Sequence, residues 1–229
     1  MYKLVIANRN YSSWSLRAWL YLTESKLAFE EIRIPLFTGS WKEEIARFSP
    51  GGRVPVLLDD GITVWDSMAI MEYVREQHPD AVGWPVSDHA RAHARSVSAE
   101  MHSGFLAVRD ELPQNLRARR PLDVSQLSAA CRQQVARIDE LWTDCRQQYG
   151  GAGKWLFGEF SIADVVFAPV ALRFVTYSIP FGAQSGEFVD AVSNLASVQS
   201  WIEAARAESE SLPFIDDLVP AKDSPLTPG

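Results

Sequence analysis

The sequence has few thiols, few histidines and no apolar run near the roughly 20 residues that a membrane span requires. Its two cysteines, Cys131 and Cys145, form no C-x-x-C pair, which argues against a dithiol oxidoreductase and predicts two free thiols. The four histidines have no metal-ligand spacing, so no metal is expected. The net charge of −7 disfavours a nucleic-acid partner, because phosphate binding favours a basic surface.

The composition is that of a soluble globular protein, with 47% hydrophobic and 22% charged residues. The first residues combine one lysine with an apolar stretch that is too short for a secretion signal. We therefore expect a cytoplasmic protein with no membrane partner.

Residues 1–80 alternate between strand-like and helix-like segments. Apolar runs and period-two alternation predict the strands, and apolar residues at helical spacing predict the helices. The turn pair Asp60-Gly61 predicts a hairpin. The predicted segments are a strand Lys3–Ala7, a helix Ser13–Glu24, a strand Phe29–Ile34, a helix Trp41–Arg47, strands Val54–Asp59 and Ile62–Val64, and a helix from Asp66-Ser67 to His78-Pro79. The order βαβαββα predicts a small α/β domain over residues 1–80.

The pattern changes after residue 80. Residues 81–88 contain glycine, proline and serine and are predicted to be a linker. Helical periodicity then dominates, which predicts an all-helical domain over residues 89–229. Its candidate helices are His89–Leu112, Asp123–Tyr149, Ser161–Tyr177, Phe188–Asn194 and Val198–Ser209. Pro213–Gly229 carries four prolines and is predicted to be a loosely held tail.

The stretch Tyr11–Arg17 follows the first strand and opens a helix with three serines. A helix N-terminus presents unpaired backbone N–H groups and the positive end of the helix dipole. Such a place stabilises an anion, including a thiolate. No cysteine lies nearby in the sequence, so a thiolate held there would belong to a ligand.

Two further motifs in the α/β domain have both a structural and a functional interpretation. Pro55 lacks an N–H and marks a bend at the start of a strand, with either a trans bond or a cis bond to Val54. A cis bond would turn the Val54 backbone outward, where it could pair with an extended peptide. Asp66-Ser67 begins a helix, either as a plain cap or as a grip for a carboxylate and an amine.

The run Ser161-Ile162-Ala163-Asp164 is a capping box in its S-x-x-D form. We interpret it as folding chemistry with no role in a site.

In this order, these motifs resemble those of a glutathione S-transferase, over almost the whole chain. The run from Ser12 to Arg17, read as S-S-W-S-L-R, is similar to the S-S-C-S-x-R signature of the zeta class, the maleylacetoacetate isomerases. The resemblance implies an α/β thioredoxin-like N-terminal domain, an all-α C-terminal domain and a homodimer. It also implies glutathione as co-substrate, a small electrophile as second substrate and a detoxification role.

The resemblance assigns the motifs to parts of glutathione. Pro55 would be cis, the Val54 backbone would pair with the cysteinyl part, and Ser67 with Asp66 would hold the γ-glutamyl end. Either Ser12 or Ser13 would donate a hydrogen bond to the sulfur, with Ser12 favoured by residue order. The other candidate glutathione-binding residues are Ser15, Arg17, Lys42 and Arg53. For Arg17 a structural ion pair is the alternative, and for Lys42 and Arg53 a solvated surface.

The electrophile pocket implied by the resemblance draws on the second domain. Its candidate residues are Trp14, Met101, His102, Phe105, Arg173 and Tyr177. Core packing is the alternative for the apolar members, and a polar interface position is the alternative for His102.

The sequence is compatible with three functions. The first is a glutathione transferase, with a glutathione-dependent isomerase as a variant. The second is a non-catalytic glutathione-binding protein of the same fold. The third, a thiol reductase, is opposed by the missing cysteine. Trp14 stands where the zeta signature has a cysteine linked to isomerase chemistry, which disfavours the isomerase.

Overall fold

The computed structural model describes residues 1–218, which form two compact units. The first unit combines Met1–Gly83 with Ala196–Glu210, and the second combines Trp84–Leu195 with the residues from Ser211 onward. The division after Gly83 lies inside the predicted linker 81–88. Residues 196–210 differ from the prediction, which placed everything after residue 88 in the helical domain. Residues 219–229 of the predicted tail lie outside the described residues.

The first unit is built on a four-stranded sheet with the strand order β2-β1-β3-β4. The strands are β1 (Tyr2–Ile6), β2 (Phe29–Arg33), β3 (Val56–Asp59) and β4 (Ile62–Val64). β1 runs parallel to β2 and antiparallel to β3, and β3 pairs antiparallel with β4. The predicted hairpin turn is confirmed: Asp60 and Gly61 both have positive φ angles, of 41° and 89°.

Four helices belong to the first unit: α1 (Ser13–Glu24), α2 (Trp41–Ala46), α3 (Ser67–Gln77) and α9 (Ala196–Ala207). α1 packs against both α3 and α9. The contact with α9 includes the rings of Trp19 and Trp201, whose centroids are 5.1 Å apart. α2 buries Ile45 in a cluster with Val5 and Val56. The predicted order βαβαββα is confirmed, and α9 is an addition to it.

The second unit is helical, as predicted. Its helices are α4 (Asp88–Ser103), α5 (Leu106–Glu111), α6 (Ala129–Cys145), α7 (Ile162–Tyr177), α8 (Ala183–Ser193) and α10 (Pro213–Asp216). α7 is buried along almost its whole length and packs against α4 and α8. Trp142 of α6 contacts the rings of Phe167, Phe174 and Phe188 at centroid distances of 5.9, 5.2 and 5.1 Å. This aromatic cluster lies in the core of the unit.

The prediction of one long helix over His89–Leu112 is wrong, because the chain breaks between α4 and α5. Gly104 ends α4, and a Cβ at that position would lie 2.8 Å from the carbonyl oxygen of Glu100. Phe105 then adopts a left-handed conformation with φ 58°, which no helix continues through. α4 therefore ends at Ser103, and α5 begins only at Leu106.

Two other helix predictions are wrong in extent. The segment Asp123–Tyr149 contains a short 3₁₀ turn at Val124–Gln126, then α6, and then a π-helical turn at Arg146–Gly150. The separate pieces have their own caps: Asp123 accepts the N–H of Ser125, and Ser128 accepts the N–H of Cys131.

α8 begins at Ala183, five residues before the predicted start at Phe188.

The prediction of a loose tail from Pro213 is wrong for its first residues. Pro213–Asp216 form the helix α10, with proline in the first turn, where its missing N–H costs nothing. The Arg120 guanidinium donates to the carbonyl oxygens of Ile215 and Asp216, and the Asn115 amide donates to the Asp216 carboxylate at 2.8 Å.

Candidate functional site

The loop between β1 and α1 is held in place by Asn8. The carbonyl oxygen of Asn8 accepts the N–H groups of Tyr11 and Ser12, at 3.2 and 2.9 Å. Its side-chain oxygen accepts the N–H of Leu36 at 2.9 Å, which ties the loop to the segment after β2. Asn8 itself is buried, and these three bonds fix the path of the chain into Ser12.

A second anchor comes from the far end of the sequence. The carboxylate of Glu208, just after α9, accepts the N–H groups of Arg9 and Asn10 at 2.8 and 3.1 Å. The indole N–H of Trp201 donates to the Arg9 carbonyl oxygen at 3.0 Å. Sequence reasoning missed Glu208 and Trp201. Nearly 200 positions separate them from the loop, so no local spacing pattern links the two.

Ser12 caps α1, which begins at Ser13 as predicted. Its Oγ accepts the N–H of Ser15 at 3.2 Å, and the hydroxyl oxygens of Ser12 and Ser15 are 2.8 Å apart. The Ser15 Oγ in turn accepts the N–H of Ala7 at 3.0 Å. Ser12 and Ser13 are half-buried, whereas Ser15 has no exposed surface. A ligand beside the helix start therefore meets the hydroxyls of Ser12 and Ser13, and Ser15 lies beneath them.

Trp14 and Arg17 form a stacked pair on α1. The Arg17 guanidinium lies 4.4 Å from the centre of the Trp14 ring, within the range of a cation–π interaction. Arg17 is 3% exposed, so its charge is almost fully removed from solvent, whereas Trp14 is half-buried. Part of the Trp14 ring surface is thus used to cover Arg17.

The bond between Val54 and Pro55 is cis, as the resemblance predicted. Pro55 is buried, and within residues 1–218 no hydrogen-bond partner is present for the backbone N–H or C=O of Val54. The bond between Trp65 and Asp66 is also cis. No feature of the sequence predicted this second cis bond.

Asp66 and Ser67 have different environments at the start of α3. Asp66 is a true helix cap, because its carboxylate accepts the N–H groups of Met68 and Ala69 at 2.9 and 3.4 Å. Ser67 is fully buried, and its Oγ has no hydrogen-bond partner among the described residues. A buried hydroxyl in that state is unfavourable unless something else bonds to it. The cap interpretation is therefore confirmed for Asp66, and Ser67 has an unused hydroxyl at a helix N-terminus.

Lys42 and Arg53 are exposed cations of the first unit. The Lys42 ammonium lies 5.7 Å from the ring centre of Trp41, and the Arg53 backbone N–H donates to the Ser49 hydroxyl at 3.0 Å. Within residues 1–218, neither side chain has an ion-pair partner. Both cations are available to an anionic ligand.

The predicted pocket residues of the second unit have little exposed surface. Met101 and Phe105 are 1% and 7% exposed, which places them in the core of their unit. The Tyr177 hydroxyl donates to the carbonyl oxygen of Pro113 at 2.9 Å. Arg173 is buried on α7, and burial, with a smaller contribution from the charge of Arg109, lowers the pKa of its guanidinium to about 10.

Arg109 is a residue that sequence reasoning missed. It lies on α5, and its guanidinium donates to the carbonyl oxygens of Met101 at 2.5 Å and His102 at 3.1 Å. These are carbonyls of the last turn of α4, where the helix dipole favours a cation. His102 is half-buried, so it retains some contact with solvent.

The predicted capping box at the start of α7 is confirmed. The Asp164 carboxylate accepts the backbone N–H and the hydroxyl of Ser161, both at 2.8 Å, and the N–H of Leu156 at 2.9 Å. Asp164 has no exposed surface, and burial raises the pKa of its carboxyl to about 6 against these hydrogen bonds.

The protein's own thiols are poor candidates for chemistry. Cys131 and Cys145 are free and buried, and burial raises the pKa of each to about 12. Within residues 1–218, no group of three or more histidine, cysteine or acidic side chains is arranged to hold a metal ion. No helix in that part of the chain has both the length and the apolarity to cross a membrane.

Comparison with known proteins decides the family. Residues 11–77 match the model of the glutathione S-transferase N-terminal domain. Over 166 residues the chain is 30% identical to the maleylacetoacetate isomerase of Rattus norvegicus, an alignment that covers 70% of this chain and 72% of the rat protein. The chain belongs to the glutathione S-transferase family.

Other members of the family match over different lengths. The chain is 33% identical over 97 residues to a probable maleylacetoacetate isomerase of Caenorhabditis elegans, covering 42% of this chain and 44% of the worm protein. Among solved structures, a glutathione transferase homologue from Burkholderia gl BGR1 with bound glutathione has a TM-score of 0.67 at 24% identity. That likeness covers 90% of this chain and 98% of the other, and it shows the shared glutathione transferase fold.

Proposed function

We propose that this protein binds glutathione in its first unit, stabilises the thiolate with the hydroxyl of Ser12, and adds the sulfur to a small electrophile. The proposal rests above all on Ser12, a half-buried hydroxyl at the N-terminus of α1 that is backed by the buried hydroxyl of Ser15. Membership of the glutathione S-transferase family supports the proposal, and so does the glutathione bound in the structure of the Burkholderia homologue. No metal is needed for this chemistry.

The first unit offers candidate binding groups for each part of the tripeptide. The Ser67 hydroxyl would bind the γ-glutamyl carboxylate, and Asp66 would lie close to the amine. The Val54 backbone, which lacks a partner within residues 1–218, would pair with the cysteinyl part. Lys42 and Arg53 would attract the glycyl carboxylate. Ser67 has no exposed surface, so the atoms that cover it must move aside when the ligand binds.

Catalysis would consist of thiolate stabilisation followed by attack. A cysteine thiol has an ordinary pKa of about 8.5, so only a small fraction is ionised at neutral pH. A hydroxyl donor and the N-terminal N–H groups of α1 both favour the charged form of the sulfur. The thiolate then forms a bond to the electrophilic carbon, and the electron pair of the broken bond goes to the leaving group or the adjacent atom.

The role of Ser12 is tested by alanine variants of the two half-buried serines, Ser12 and Ser13. We expect Ser12→Ala to reduce the conjugation rate with a generic aromatic electrophile by about 10-fold or more, because a hydrogen bond to a charged group is lost. Ser13→Ala is the matched control, because it removes a hydroxyl one residue away, and it should retain most of the activity. A full loss in Ser13→Ala with normal turnover in Ser12→Ala would move the role to Ser13.

An isomerase of the maleylacetoacetate type is the second candidate function. The names of the rat and worm relatives favour it. Trp14 disfavours it, because the zeta signature has a cysteine at this position and the Trp14 ring is already stacked on Arg17. Turnover of a cis-dicarboxylate substrate with no consumption of glutathione would support the isomerase, whereas adduct formation supports the transferase.

Two further parts of the proposal follow from the family resemblance. Trp14, which is half-buried beside the start of α1, would contribute to the electrophile site, and the protein would act as a homodimer in the cytoplasm. A protein that binds glutathione and shows no turnover with a range of electrophiles would instead be a binding protein of the same fold.

A further inference from the structure

Ser15 is the unusual serine of this structure. The α4 serines Ser96 and Ser103 each donate a hydrogen bond to the carbonyl oxygen four residues earlier. Ser15 is fully buried and does not make this bond. Its two polar neighbours are instead the N–H of Ala7, at 3.0 Å, and the Ser12 hydroxyl, at 2.8 Å. Its position connects the end of β1 to the capping residue of α1.

The direction of the hydrogen bond between the two hydroxyls follows from counting donors and acceptors. A serine hydroxyl has one hydrogen to donate and two lone pairs to accept with. If Ser12 donates to Ser15, both lone pairs of Ser15 are occupied, by Ala7 and by Ser12. The hydrogen of Ser15 is then left without an acceptor among the described residues, in a place with no exposed surface, which is unfavourable.

The opposite direction satisfies every group. Ser15 accepts from Ala7 and donates to Ser12, so its hydroxyl is fully used. Ser12 then accepts both the N–H and the O–H of Ser15, so its two lone pairs are occupied. The Ser12 hydroxyl can then form one more hydrogen bond, and only as a donor. Because Ser12 is half-buried, its hydrogen is accessible to a ligand.

We propose that Ser15 is a positioning residue that makes Ser12 an obligate hydrogen-bond donor toward the sulfur of bound glutathione. This inference rests on the proposed function and deepens it. A hydroxyl whose lone pairs are already filled cannot accept from the thiol form, and it can only donate to the thiolate. The Ser15 bond therefore favours the ionised sulfur without touching it, through the orientation of the neighbouring hydroxyl.

The test measures the pKa of the thiol of bound glutathione, from the ultraviolet absorbance of the thiolate as the pH is raised. We expect Ser15→Ala to raise this pKa by about half a pH unit to one pH unit, and to change the affinity for glutathione little. Ser12→Ala should raise it by about one pH unit or more. The double variant should equal Ser12→Ala alone, because Ser15 acts only through Ser12.

Control variants separate orientation from folding. Ser25 follows the other end of the same helix, and its hydroxyl accepts the backbone N–H of Val82 at 3.1 Å. Ser25→Ala removes this hydroxyl and should leave the thiol pKa unchanged. Ser15→Thr keeps the hydroxyl and should restore the wild-type value. If Ser15→Ala does not fold, Ser15→Cys replaces it: a thiol is a weak donor, so the pKa should again rise.

The outcomes distinguish this inference from the function on which it rests. A raised pKa in Ser12→Ala with a wild-type pKa in Ser15→Ala and Ser15→Cys overturns the role of Ser15 and leaves the proposed function standing. Additive effects in the double variant overturn it as well. A wild-type protein that shows no thiolate with saturating glutathione overturns both.

Discussion

Ser67 and Ser15 show how two buried serines of one unit differ in what they can do. Neither has exposed surface. The hydroxyl of Ser15 is fully bonded to Ala7 and Ser12, whereas that of Ser67 has no partner among the described residues. In the proposed function, the first orients a neighbouring hydroxyl, and the second donates a hydrogen bond to the ligand.

Removal of the Ser67 hydroxyl should weaken the affinity for glutathione without lowering the free energy of unfolding. Ser67→Ala should weaken glutathione binding about 10-fold to 100-fold, since a hydrogen bond to a carboxylate is lost. The free energy of unfolding should stay the same or rise slightly, because an unpaired buried hydroxyl is removed. Titration calorimetry and urea unfolding of the same preparations measure the two quantities.

Ser98 provides the matched control for that variant. It is also a fully buried serine whose hydroxyl has no partner among the described residues, but it lies on α4 of the second unit. Ser98→Ala should have the same small effect on stability and no effect on affinity. Equal loss of affinity in both variants, or none in either, would refute the role given to Ser67.

At this scale the sequence predicted the candidate groups better than their partners. Ser12 and Ser67 were found because each begins a helix, and helix starts have a recognisable residue pattern. The contacts of Glu208 and Trp201 with the Ser12 loop were not found, since contacts between residues so far apart leave no local pattern. The sequence did not show that Ser15 is fully buried, because burial of its hydroxyl depends on the packed structure.

The start of α7 is held by a single buried carboxylate. Its capping carboxylate, Asp164, accepts three hydrogen bonds and is completely buried. The hydrogen bonds favour the charged form and burial opposes it, and burial prevails, so the pKa is raised to about 6. The hydrogen bonds of the capping box thus stabilise the helix start. Near neutral pH, however, the Asp164 carboxylate is ionised in a buried place, which is unfavourable.

The raised pKa predicts how stability depends on pH. A carboxyl whose pKa is higher in the folded state contributes stability that is present at low pH and is lost as the pH rises through about 6. Against its ordinary value of 3.8 the full change is about 3 kcal/mol, at about 1.4 kcal/mol per pH unit. Asp164→Asn cannot ionise and should lack this contribution.

Urea unfolding of wild type and Asp164→Asn at about pH 7 and about pH 5 measures the effect, because the other titrating groups are common to both proteins. The difference in unfolding free energy should shift in favour of the wild type by about 1 kcal/mol or more on acidification. A difference that does not depend on pH would contradict the raised pKa.

The elements show where sequence patterns succeed and fail. The bounds of α1 and β4 were predicted correctly, because a cap and a tight turn mark them. The break between α4 and α5 was missed, since an isolated glycine such as Gly104 is tolerated inside a helical pattern. α9 was predicted as a helix, but its place beside α1 depends on the fit of Trp201 against Trp19, which periodicity does not encode.

On the scale of the whole molecule, the proposed site belongs to an acidic protein with two unreactive thiols. The net charge of −7 gives an anionic peptide no general attraction, so local cations such as Lys42 and Arg53 must supply it. Burial raises the pKa of Cys131 and Cys145 to about 12, so neither thiol ionises near neutral pH. A thiolate that is detected near neutral pH in the presence of glutathione therefore belongs to glutathione.

The proposed stabilisation of the thiolate is tested most directly by the pKa of the glutathione thiol when glutathione is bound to the wild-type protein. Thiolate absorbance is recorded as the pH rises, with saturating glutathione, and the spectrum of the protein alone is subtracted. The proposed function predicts saturable binding and a thiol pKa at least about one pH unit below the ordinary value of about 8.5. No saturable binding, or a bound thiol with an ordinary or higher pKa, would contradict it.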